Sequence, residues 1–544
     1  AYDFFYKACW NAAWQDAGYY SLAQLSAARG DWEEALYEID KSLLRNWHNL
    51  RGRHLKTIIL RHLGRNDEAI ALIDESLRID RFNFGCGFEK YLITGNDSDL
   101  KALVALMRPE GHNYSELALD YASAGCWEEA LQVAETAIDL QVADQTMLHY
   151  YKSWFLIRLD RKEEALAAIR EAEQQIPDCC FPNTLEAILA LQAVIDFAAE
   201  APKALYYLGN LWYDKRQYPE AIACWEASKK QDETFPTVLR NLSLAYFNKL
   251  NKQEEAVVLL EKAFALDPTD ARILMELDQL YKRLNRPHAD RLAFLDKHKE
   301  VAFERDDLYL EYVTLLNQLG QYEEAIRRID ARQFHPWEGG EGKVPAQYQL
   351  ARVELVKQLL SEGKYQDALN LIEECFVYPH NFGEGKLYGA QENDFNYYKA
   401  CALQGLGRNE EATGLFLKAS VGNSQPAAAM YYNDQKPDKI FYQGLALRKL
   451  GREDEARGRF NNLISYGEKH VYDVFKMDYF AVSLPDLQIW EDDMNKKNRI
   501  HCNYLMALGH LGLGDTEKAM KYFNIAAEMD NNHQGVQIHK EMIK

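Results

Sequence analysis

Apolar residues fall at helical spacing through nearly the whole chain, and one phrase punctuates them. A turn residue is followed by a few charged residues, then usually Glu-Ala and an apolar residue. It reads Gly30-Asp31-Trp32-Glu33-Glu34-Ala35-Leu36 and Gly64-Arg65-Asn66-Asp67-Glu68-Ala69-Ile70. It returns from Gly125 to Leu131, Asp160 to Leu166, Gln217 to Ile222, Asn251 to Val257 and Gly320 to Ile326. Further copies run from Gly363 to Leu369, Gly407 to Thr413, Gly451 to Arg457 and Gly514 to Met520. A fixed period of this kind predicts stacked helical hairpins, in which no unit buries its apolar face alone.

The phrase resembles the second helix of the tetratricopeptide repeat, a helix-turn-helix unit of about 34 residues. Ala204 to Pro236 carries the pattern in Leu208, Gly209, Trp212, Ala221 and Trp225. The stretch from Leu239 to Pro268 carries it in Ser243, Tyr246, Ala256, Leu260, Ala263 and Pro268. Small residues let the two helices of a unit approach, and large apolar ones fill the groove toward the next unit. The resemblance implies an all-α, right-handed superhelix, an α-solenoid of about 12 hairpin repeats.

The marker alanines are Ala35, Ala69, Ala130, Ala165, Ala221, Ala256, Ala289, Ala325, Ala368, Ala412, Ala456 and Ala519. The intervals between them are 34, 61, 35, 56, 35, 33, 36, 43, 44, 44 and 63. The 61-residue interval predicts a degenerate repeat around Phe84 to Met107, and the 56-residue interval an extra helix over Leu185 to Ala199. The repeat at Ala289 is poor, because Asn285-Arg286-Pro287-His288 replaces the usual turn. The last four intervals are long, and their excess falls between the second helix of one unit and the first helix of the next. Two regions follow: regular repeats over 1–332 and long-looped repeats over 333–544. Insertions at one phase of a solenoid emerge on one edge and can build a shared surface.

These loops are rich in rings and planar polar groups. The first holds His335, Trp337, Glu338, Glu341 and Lys343; the second holds His380, Glu384, Lys386, Gln391, Glu392, Asn393 and Asp394. The third holds Tyr431, Tyr432, Asn433 and Asp434, and the fourth Asp478 and Tyr479, with Trp490 to Asp493 beyond. Gly-Glu-Gly-Lys occurs at Gly340 and at Gly383, 43 residues apart, which predicts equal placement on two successive repeats. Such a mixture suits a sugar or another polyol, with rings stacking on C–H faces and polar groups bonding hydroxyls. The same residues also suit ordered turns, with Gly at positive φ, Glu and Lys paired locally and Trp337 plugging the solenoid edge.

Composition narrows the functions. The chain has 544 residues and a formal net charge of −20. A surface so acidic opposes sequence-independent binding of nucleic acid or anionic lipid. No apolar run is long enough to span a membrane, and no leader is visible, so the expected compartment is the cytoplasm. The nine cysteines show no metal spacing, and the expectation is reduced, buried thiols. His501 and His510, nine residues apart, read as surface or groove residues, so neither a metal nor another cofactor is expected. No nucleophile elbow or metalloprotease motif occurs, and enzymatic activity is not expected of this chain alone. Glu338, Glu341, Glu384, Glu392, Asp394 and Asp434 are the candidates for a general acid and base if it has one.

The three loops beginning at His335-Pro336-Trp337, Gly383-Glu384 and Tyr431-Tyr432, with the aromatic opening Ala1 to Trp14, resemble the helical half of the bacterial domain-of-unknown-function 5107 family. The resemblance implies bacterial origin, a preceding sugar-epimerase-like β-sandwich half and a carbohydrate context. The opening without Met reads as a cut within a longer protein. The first functional reading is a non-enzymatic scaffold for a protein or peptide. The alternative is a carbohydrate-binding or carbohydrate-processing part that takes a sugar-like molecule at the C-terminal loops.

Overall fold

The computed structural model describes residues 1–143, 145–337, 339–428, 434–475 and 489–543. Among them there are thirty α-helices and no strand, with one isolated bridge between Glu110 and Ala143. The chain divides into two compact units, Ala1–Ala245 and Tyr246–Lys544, and the long-looped region 333–544 lies within the second.

In the first unit the hairpins begin with Gln15–Ala28 and Trp32–Arg45 and run to Pro202–Asp214 and Tyr218–Gln231. The degenerate repeat is present as Phe84–Thr94 and Asp97–Met107, and the extra helix as Leu185–Phe197. That extra helix packs between Thr146–Arg158 and Pro202–Asp214, both first helices of hairpins. It therefore lengthens the row of first helices.

The turn chemistry follows from backbone sterics. The phrase opens on a residue in the left-handed region: Gly30, Gly64, Gly125 and Gly320, but also Asp160, Asn251 and Asn285. The second helix then starts with an acidic first turn, as at Glu33 and Glu34, which complements the helix dipole. Eleven of the twelve marker alanines are buried.

Ala289 is the exception and corrects the sequence register. In Tyr322–Asp330 the amide of Ala325 donates to the carbonyl of the cap residue Gln321. In His288–Lys297 the cap is Pro287, and its carbonyl accepts from the amides of Asp290 and, at the position equivalent to Ala325, Arg291. The proline starts this helix one residue later after its turn, so Arg291 takes the alanine's place and Ala289 faces solvent.

The second unit contains the long first helices Lys343–Ser361 and Met494–Leu513 and short second helices such as Tyr322–Asp330 and Tyr365–Glu374. Its chain of hairpins closes on itself. Trp490 is 1% exposed, donates its indole N–H to the carbonyl of Glu276 at 3.1 Å, and meets the Phe247 ring edge to face. Asn531 bonds Asn285 through its amide nitrogen at 3.1 Å and through its side chain at 2.9 Å.

No described helix is long and apolar enough to cross a membrane. All nine cysteines are free thiols. Six are buried, but Cys179 is exposed on a left-handed backbone, against the expectation that all would be interior. His510 also departs from a surface reading, at 9% exposure.

Candidate functional site

Closure of the second unit leaves a cavity of about 970 Å³. The first helices Ala271–Arg283 and Asp306–Gln318 supply one wall through Met275, Gln279, Leu310 and Thr314. Phe247, the 491–497 segment and the 529–534 turn supply the others, and Trp337 and Lys343 enter from the first long loop.

Charge in this cavity is mostly paired. Arg291 grips Asp278 with two bonds of 3.0 and 2.7 Å, reaches Glu311 at 2.8 Å and donates to Asn532 at 2.9 Å. Lys282 donates to both oxygens of Glu311, at 2.9 and 2.8 Å. Burial works against the Glu311 carboxylate, but Lys282 and Arg291 overrule it and hold it at about 2. Asp492 takes Arg283 and Lys497; Glu491 pairs with Lys249; Asp307 is forked by Arg305. Asp493 caps Met494–Leu513 by accepting from the amide of Lys496 at 2.9 Å, and Asp530 accepts from the amide of Asn532. Among the described residues, the ammonium groups of Lys343 and Lys496 make no hydrogen bond or ion pair, and neither does the amide of Gln279. Surrounding protein, then the charge of Lys282, push the Lys343 ammonium below its usual value, against the pull of Glu311, Glu341 and Asp307.

The predicted loop residues separate. Trp337 lies over Gly340, where a Cβ would come within 2.3 Å of the indole, and it lines the cavity beside Lys343. His335 instead bonds Asp306 through its amide at 2.8 Å and its ring at 3.1 Å. Glu341 is exposed, and His380 opens a 3-10 turn, His380–Phe382, outside the cavity lining. Glu384 accepts from the amide of Gly342 at 2.9 Å, while burial raises its pKa. Lys386 pairs with Glu392 and donates to the carbonyl of Phe376 at 2.9 Å. The side chain of Gln391 bonds the backbone of Asp434 and Lys436, both at 3.3 Å. Asn393 donates to the carbonyls of Ala419 and Val421, and Asp394 is buried against Lys439 at 2.5 Å. Glu338, Tyr431, Tyr432, Asn433, Asp478 and Tyr479 lie outside the described residues.

The two Gly-Glu-Gly-Lys copies are not placed equivalently. The first runs directly into Lys343–Ser361, whereas the second precedes Asn393–Gly405 by several residues. They meet instead through the Glu384 bond to Gly342.

Two features of the first unit went unread in the sequence. Ile176, Phe181, Leu185 and Leu189 are 70%, 80%, 75% and 56% exposed, a run of large apolar side chains leading into and along the extra helix. His62, Cys126 and Glu129 also converge, with Cys126 Sγ 3.8 Å and Glu129 Oε1 3.5 Å from His62 Nε2. Arg61 already holds that same Glu129 oxygen at 2.7 Å, and burial pushes the Cys126 thiol up, so the trio is a salt-bridged network.

Tetratricopeptide-repeat models match residues 115–178 and 500–533. The TPR repeat-containing protein YpiA of Bacillus subtilis is 26% identical over 171 residues, covering 28% of this chain and 39% of that protein. The chain thus matches well under half the length of this curated relative. Among solved structures, MamA aligns with 35% of this chain and 95% of its own, at 12% identity and a TM-score of 0.22. YrrB, described as a TPR protein with an unusual peptide-binding site, aligns with 44% and 96%, at 15% identity and 0.17. A tetratricopeptide repeat protein from Parabacteroides merdae aligns with 56% and 98%, at 16% identity and 0.24. The chain carries tetratricopeptide repeats within an all-helical fold.

Proposed function

We propose that the protein is a binding scaffold that recognises a protein or peptide segment on the first-helix row of its stacked repeats. The observation that carries this reading is the exposed apolar run on the extra helix. Leu185 and Leu189 stand one turn apart on Leu185–Phe197, with Phe181 and Ile176 leading into it. Large apolar side chains exposed this close together along the chain are costly to leave in water and mark interaction sites. Asp178, Glu186 and Asp196 lie along the same stretch, so the partner this surface suits is an amphipathic segment with an apolar stripe and basic flanks. The carbohydrate alternative draws less support, because Glu384, Lys386, Glu392, Asn393 and Asp394 are spent on bonds within the protein.

Selection from a randomised peptide library tests this. Enriched peptides should be amphipathic and basic, and a Leu185→Glu, Leu189→Glu double variant should bind them at least about tenfold more weakly with its melting temperature retained. Equal binding by the double variant, or no enrichment over scrambled peptides, ends the reading.

A further inference from the structure

The cavity of the second unit presents a different problem from the apolar run. Its acidic side chains are each engaged by a cation, a helix N-terminus or a neighbouring amide. Its cations are not: Lys343 and Lys496 are left over. Lys343 is also misplaced for stability. It is the first residue of the 19-residue helix Lys343–Ser361, where the helix dipole is positive and disfavours a cation. The dipole and Lys282 oppose its charge and Glu311, Glu341 and Asp307 favour it, but none of these carboxylates bonds the ammonium. Beside it stand the Trp337 indole, half-buried over Gly340, and the apolar groups of Phe247, Met275 and Leu310. The volume of about 970 Å³ matches a site for a compact organic molecule.

We infer that this cavity binds a small organic anion, with its carboxylate or phosphate group between Lys343 and Lys496 and its ring or apolar body against Trp337. Gln279 adds a free amide for a polar substituent. Lys343 is exposed and Lys496 half-buried, so both ammonium groups are open to an incoming anion, and the partly enclosed wall around them strengthens a charge-assisted bond. The inference is independent of the partner reading, which rests on the first unit.

The test uses the full chain and four probes by calorimetry and indole fluorescence: phenyl phosphate, benzoate, phenol and inorganic phosphate. Phenyl phosphate or benzoate should bind and quench, and whichever binds more tightly tells phosphate from carboxylate. Phenol, with the ring but no charge, and inorganic phosphate, with charge but no ring, should each bind at least about tenfold more weakly. Lys343→Gln and Lys496→Gln should each weaken the best anion about tenfold or more, and Lys343→Gln should melt no lower than the parent. Should one lysine variant fail to fold, the other decides. Phenol binding as well as the anions, no saturable binding of either ring-bearing anion at millimolar concentration, or unchanged affinity in the folded lysine variants overturns the inference.

Discussion

Arg291 shows how much one residue can do in a repeat whose pattern looks merely eroded. Where other hairpins place alanine, it puts a guanidinium against Asp278 and Glu311 and also reaches Asn532, some 241 residues on. Truncating it strands the buried Asp278 carboxylate and leaves Glu311 to Lys282 alone, which is far more costly than losing a surface pair. Arg291→Ala should therefore destabilise the second unit by about 3–5 kcal/mol in urea unfolding. Arg291→Leu with Asp278→Leu should cost less than the two single changes together. Where alanine keeps its place, the opposite change is the damaging one: Ala221→Leu overfills a closed contact and should cost about 1–3 kcal/mol, read from the unfolding midpoint. His539 adds a pH dependence. It is 1% exposed, its Nδ1 donates to the carbonyl of Gly535 at 2.7 Å, and burial lowers its pKa to about 4. Because the unfolded chain takes up the proton first, near pH 6.5, stability is full above that value and is lost as pH falls toward 4. His539→Gln, neutral throughout, should flatten that stretch of the stability profile.

At the scale of elements, the long loops act as struts. Asn381 donates to the carbonyls of Ile329 and Arg332 at 2.8 and 2.9 Å, satisfying the open end of Tyr322–Asp330 from the next loop along. Phe382 fills the space behind it, against Tyr348 and Tyr378. Asn381→Ala should cost about 1–3 kcal/mol, because the Arg332 carbonyl loses this bond and Ile329 keeps only the Arg332 amide, and the loss should show in faster amide exchange over Tyr322–Asp330. Hairpin phase, turn residues and even the extra helix were legible because each rests on local rules of sterics and periodicity. The loops were not. Gly340-Glu341-Gly342-Lys343 and Gly383-Glu384-Gly385-Lys386 share letters, yet one starts a helix and the other ends a 3-10 turn. What separates them is where the next helix begins, a tertiary matter. Of the described residues proposed from those loops, the cavity takes Trp337 and Lys343; Gln279 and Lys496 carried no local signal, since each sits in an ordinary helical stretch.

At the scale of the whole molecule, the acidic balance sets which classes of partner are disfavoured, but the feature that makes the cavity is closure of the second unit. No periodicity announces that contact: Asn285 and Asn531 are 246 residues apart, and nothing in either segment names the other. It is held along two lines. One is Trp490 with Asp492, where Arg283 donates to the Trp490 carbonyl at 3.1 Å and also pairs with Asp492. The other is Asn531 to Gln534, where the carbonyl of Asn532 accepts from Gln318 at 2.9 Å and Gln534 exchanges amides with Gln347. A buried indole contributes area and one bond to a backbone carbonyl, so Trp490→Ala should cost about 3–5 kcal/mol. The second line should survive in the variant, which makes the effect partial. Amide exchange should therefore accelerate in Ala271–Arg283 and at the start of Met494–Leu513, which flank the lost ring, and remain unchanged over Tyr365–Glu374, which none of these bonds touches. Uniform acceleration through the unit would mean that closure is all or none. No acceleration in Ala271–Arg283 would mean that Trp490 only covers the cavity, and that the Asn531–Gln534 line alone holds the unit closed.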